Sequence, residues 1–248
     1  MGILGVVASI AVAGCDPDSP PRSGAAARAG ASSAPRPHRA RADAPTAPVA
    51  PVAPARACGV ERWDVKTGAD PGAPTLDLAA PRPATVPELR LLRPPSWLDV
   101  HTPRQPEERI VRQLSDVRLV CVKYERDGDR DLHLVVEQRD DAVVEPSADR
   151  GCARLREPGP GLHTMIVEIP DPGCLPASQP WRERIARVRA LVQAETHPAE
   201  RARRVDRIVS LRGVTFFDVV HGQLGVAPNG IELHPVLAVC FGAGCALD

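Results

Sequence analysis

Two imidazoles and two carboxylates, His133, Glu168, Glu232 and His234, are the side chains of this chain best placed to do chemistry. Each sits in an alternating run: His133 between Leu132 and Leu134, Glu168 between Val167 and Ile169, Glu232 and His234 around Leu233. Period-two alternation sends successive side chains to opposite faces of a strand, so an inward apolar phase puts these four on the other face. Such a set could hold a divalent metal or divide the roles of acid and base. The plainer alternative is that outward strand positions are polar anyway, with opposite charges pairing across strands for under about 1 kcal/mol. Val135 and Val236 share the polar phase, which argues for a partly covered surface. His221, in the glycine-containing segment before Glu232, completes the candidate binding face. The face is read first as that of a binding module, with no residue assigned as a catalyst or a metal ligand and no cofactor required; a divalent metal belongs to the alternative reading, a metal-dependent, nuclease-like hydrolase using the outer face of the second, third and fifth strands. The chain has no Gly-x-Ser-x-Gly elbow, no phosphate-cradling glycine loop opening a helix and no His-Glu-x-x-His.

These residues need strands to position them. Val117 to Tyr124 is β-branched and partly alternating, and Leu132 to Glu137 alternates, so the polar loop Arg126–Asp131 joins a hairpin. His163 to Ile169 reads as a third strand, stopped by Pro170-Asp171-Pro172-Gly173. Pro180 to Glu195 is helical: Pro180 suits a first turn, and Trp181, Ile185, Val188, Leu191 and Val192 share a face, with Arg182, Arg184, Arg187 and Arg189 on the rest. Arg207 to Val220 reads as a long bent strand with a bulge at Gly213, and Ile231 to Phe241 as the last. The fold class is mainly β with one helix (α+β). Strand, strand, strand, helix, strand, strand is the order of an OB-fold, so an OB-like five-stranded β-barrel is expected over 116–241. An irregular Pro-rich segment, 58–115, would wrap it. OB-folds bind oligonucleotides or oligosaccharides beside such a face, between loops placed like Arg126–Asp131 and His221–Gly230. A topological likeness to staphylococcal-type nucleases also exists, through Asp127-Gly128-Asp129 and Asp171. The third strand lacks that family's arginine, and an Asp-Gly-Asp run is an ordinary turn.

Six cysteines, Cys58, Cys121, Cys152, Cys174, Cys240 and Cys245, fall in this region without a Cys-x-x-Cys pair, which disfavours structural zinc. In an exported protein an even number suggests disulfides. Cys58 with Cys174 is the first pairing expected, since both flank ordered segments; Cys121 and Cys240 sit in apolar runs and fit free thiols equally well.

Upstream, residues 16–57 are almost wholly Ala, Pro, Arg and Ser, too poor in large apolar side chains to offset ordering entropy. They read as an extended tether. The apolar stretch Ile3–Ala13 followed by Gly14-Cys15 resembles the lipobox of bacterial lipoproteins, although no Lys or Arg precedes it. The resemblance implies a signal peptide over 1–14, lipid on Cys15, a membrane as partner and a cell-envelope location; the stretch is too short to span a bilayer. Lys66 and Lys123 are the only lysines among 31 cationic side chains, so arginine is the default cation, and the balanced charge carries no signal for nucleic acid. Finally, Cys58-Gly59-Val60-Glu61-Arg62-Trp63 with Val65-Lys66-Thr67-Gly68, Ile169-Pro170-Asp171-Pro172 with Cys174, and the blocks His221-Gly222-Gln223 and Gly225 to Leu237 resemble a family of uncharacterised exported bacterial proteins. That resemblance favours the Cys58–Cys174 pairing and implies no particular activity.

Overall fold

A computed structural model describes residues 58–59, 61–126, 128–139, 151–152, 155 and 163–247. Cys15, the signal peptide, the tether and Asp127 lie outside them. The long strands are β2 (Val111–Tyr124), β3 (Leu132–Glu137), β4 (Thr164–Ile169), β5 (Arg203–Phe217) and β6 (Ile231–Phe241). They form one sheet with β1 (Arg82–Pro83), in the order β1-β2-β3-β4-β6-β5, and β5 pairs back onto β2. The helices are α1 (Trp63–Thr67), α2 (Val86–Arg90) and α3 (Arg182–Thr196). Among the described residues no helix is long and apolar enough to cross a membrane.

The architecture is mainly β, with six strands in a ring-like arrangement rather than the expected five-stranded barrel. Two features account for the difference. β1 is an edge addition, pairing in parallel with Arg112 and Gln113. More important, β4 meets β6 over just two residue pairs, Ile166↔Glu232 and Val167↔Leu233. Pro235 follows His234 through a cis peptide and lacks an N–H, so β6 has no ladder donor at that position. The rest of the ring is well laddered. β2 begins earlier than expected because Val111–Leu114 pairs with Leu211–Val214 of β5. Gly213 interrupts the β5–β6 register as expected.

Inside the ring lie Leu132, Leu134, Val136, Val167, Ile169, Ile231 and Leu233, with Leu114, Val117, Leu119 and Val214. The expected apolar phase is therefore the core phase. α3 closes it with Ile185, Val188 and Val192, while Leu191 is turned outward at 40% exposure. Arg189 departs in the other direction: it is buried, donating to the carbonyls of Ile169 (2.6 Å) and Arg130 (2.9 Å). Disulfides join Cys58 to Cys174, Cys121 to Cys152 and Cys240 to Cys245. Cys121 and Cys240 are thus bonded, and three such bridges fit an oxidising, non-cytoplasmic compartment.

Candidate functional site

His133 and Glu168 face each other across the β3–β4 ladder, with Nδ1 2.6 Å from Oε1. The other nitrogen of His133 lies 2.7 Å from the carbonyl oxygen of Leu224. Both ring nitrogens thus meet oxygen atoms, an arrangement that favours the doubly protonated ring. Burial opposes that charge, but the Glu168 carboxylate and the Leu224 carbonyl outweigh it and raise the His133 pKa.

Glu232 and His234 follow on β6. His234 is fully buried, its ring edge-on to Phe216 with centroids 5.8 Å apart. Nε2 lies 3.2 Å from Oδ2 of Asp131 and Nδ1 lies 4.0 Å from Oε1 of Glu232. Neither approach has hydrogen-bond geometry. Both Asp131 oxygens, both His234 nitrogens and Glu232 Oε1 are without a hydrogen-bond partner among the described residues. Burial, then the charges of Lys66 and Arg104, lowers the His234 pKa and keeps the ring neutral. Burial and the neighbouring Glu168 raise the pKa values of Asp131 and Glu232.

The four strand residues picked from sequence alternation thus come together, on the face opposite the core. That face is closed, however, and not open to ligand: His133, Glu168, Glu232 and His234 are at most 8% exposed. The cover comes from the segment around α1 and, over His133, from the Leu224 segment. Lys66 reaches in to donate to Asp129 at 2.7 Å. Burial disfavours its ammonium, yet Asp218, Glu168, Asp129 and Glu232 together raise its pKa well above the usual value. Arg62 forks onto Glu108 at 2.7 and 2.6 Å and also donates to the carbonyl of Phe217. Its guanidinium stacks 4.7 Å from the centroid of Phe216. Arg104 pairs with Asp70 and donates to the carbonyls of Val65 and Glu108. Local sequence reasoning gave no role to Lys66, Arg62, Glu108 or Asp131. The available signal was the VKTG lysine in an arginine-dominated chain, together with Asp131 at the mouth of β3.

His221 does not join the cluster. It is exposed, with one nitrogen within 4.8 Å of carboxylate oxygens of Glu61 and Asp218. It does border an open cleft of about 570 Å³ lined by Lys123, Glu125, Glu200, Arg201 and Gln223, with His133 at its wall. Lys123 pairs with Glu125 at 2.9 Å and Arg126 with Glu200 at 2.6 Å, so the cleft carries both signs of charge. Comparison with protein-family models, curated proteins and solved structures finds no match to this chain.

Proposed function

We propose that this chain is a lipid-anchored cell-envelope protein whose ring is an OB-like domain serving as a binding module. The strand connectivity supports the OB-like reading: β4 runs parallel to β6, α3 lies between β4 and β5, and β5 returns to β2. The Gly-Cys15 sequence supports the anchor, and the three disulfides agree with export.

The observation that carries the binding reading is the open cleft beside His221. It lies between the strand-end residues Lys123 and Glu125 and the loop His221–Leu224, the loop positions that OB-folds use. Its charges are mixed, and no Phe, Tyr or Trp is among its described lining residues. Stacking on aromatics and an excess of cations are what single-stranded nucleic acids require. Mixed donors and acceptors suit a hydroxyl-rich oligosaccharide instead. A hydrolytic reading gains no comparable support, because substrate would have to reach side chains sealed beneath α1.

The test is a panel of cell-envelope oligosaccharides and of DNA and RNA oligonucleotides, titrated against the full chain by calorimetry. Oligosaccharide binding weakened about tenfold by Gln223→Ala or Arg201→Ala is the expected outcome, that being the loss of one or two hydrogen bonds. Binding of oligonucleotides alone, or of nothing in the panel, defeats this assignment. Mass spectrometry of the mature N-terminus checks the anchor: a diacylated or triacylated Cys15 is expected, and a retained Met1 refutes it.

A further inference from the structure

Behind the His133 wall of the cleft, one donor atom from each of Asp131, Glu168 and His234 lies within 4.8 Å of the other two. They come from three elements that are far apart in sequence: the mouth of β3, β4 and β6. Two of the three are unpartnered and sealed, Asp131 at 1% exposure and His234 at 0%. Leaving one such group without a hydrogen bond is unfavourable, and here several are left at one spot.

Glu232 adds a further buried carboxylate oxygen without a hydrogen-bond partner among the described residues, 4.0 Å from Nδ1 of His234. Oδ2 of Asp131 and Nε2 of His234 stand 3.2 Å apart without hydrogen-bond geometry. Two ligands about 2.0–2.2 Å from a common ion are separated by roughly that distance.

We propose that Asp131, Glu168 and His234 bind one divalent first-row ion, of the zinc or manganese kind, with Glu232 beside it. A mixed imidazole and carboxylate set suits these ions better than calcium or magnesium, which prefer all-oxygen sites. His133 is a positioning residue: pinned to Leu224, it orients the Glu168 carboxylate, as outer partners of metal ligands do. The ion is structural, since its ligands are closed to solvent. It would fasten β3, β4 and β6 where the β4–β6 ladder holds just two residue pairs.

The test uses the untagged full chain, produced with export and with zinc and manganese in the medium. After exhaustive dialysis, elemental analysis should find about one equivalent of one of these metals per chain. Stripping it with a chelator in mild denaturant should lower Tm by about 5 °C or more, reversed on adding the metal back. Asp131→Asn should abolish retention and the response to chelator, His133→Ala should weaken binding about tenfold or more, and His101→Ala should change neither. Less than about a tenth of an equivalent in the wild-type chain, with a melt indifferent to chelator and added metal, overturns the proposal. Full retention by Asp131→Asn overturns it too, because the ion would then sit elsewhere. Because the wild-type measurements decide alone, a variant that fails to fold leaves the proposal falsifiable.

Discussion

Arg62 and Glu108 hold each other entirely out of water. The guanidinium gives two bonds to the carboxylate, and Glu108 also accepts from the backbone N–H groups of Phe217 and Gln105. Removing one member of a buried pair strands the other's charge, which costs about 3–5 kcal/mol. Glu108→Ala should therefore lower the unfolding free energy by that amount in urea titration, and Arg62→Met, which keeps some of the volume over Phe216, by less. Equal stability of Glu108→Ala and wild type would show that the knot contributes nothing. The Arg118–Asp206 pair, 2.6 Å apart and half in water, is the opposite case. Its bond with Arg118 lowers the Asp206 pKa below the ordinary carboxylate value. The stabilisation is therefore complete above about pH 4 and is lost as pH falls through the depressed folded value. Screening keeps it under about 1 kcal/mol. A double-mutant cycle with Asp206→Asn and Arg118→Ala should show coupling at neutral pH that vanishes in acid.

At the level of elements, α1 acts as a lid because of how it ends. Gly68 closes it in the left-handed region, at φ 71°, and a Cβ there would fall 1.9 Å from the Trp181 ring. Gly68→Ala thus meets a conformational penalty and a collision at once. We expect a loss of about 2–4 kcal/mol, seen as a lower melting temperature and earlier exposure of Trp181 fluorescence. An unchanged melt would mean that α1 is not locked against α3. Elsewhere the element pattern was legible: β3, β4 and β6 start and stop within a residue of where alternation puts them. β2 and β5 were misjudged at their ends. Arg203, Arg204 and the stretch before Val117 look like surface segments, and long-range pairing between the two strands recruits them.

Over the whole molecule, three disulfides hold together a domain whose ring is weakest at one joint. Cys58–Cys174 closes 116 residues of chain and ties the segment bearing α1 to the turn after β4. Replacing both with Ser should cost about 2–5 kcal/mol. The loss should appear first as hydrogen exchange at α1, before the β2–β5 ladder opens. Simultaneous exchange throughout would refute a lid that is separable from the ring.

Sequence alone determined the faces along β3, β4 and the start of β6, because period two is a local property of the backbone; past cis-Pro235 the phase shifts and Val236, expected on the polar face, joins the core. It also gave the order of the long elements and made Cys58–Cys174 the first pairing to expect, while leaving the other four cysteines open. Tertiary structure decided whether the polar face meets water. That outcome rests on Arg62 reaching the Phe217 carbonyl 155 residues away and on Lys66 reaching Asp129. Such contacts depend on where distant segments pack, which no periodicity within a strand encodes. The same applies to Asp131, a loop residue by local pattern, which only the closure of β6 against β4 turns into part of a buried centre.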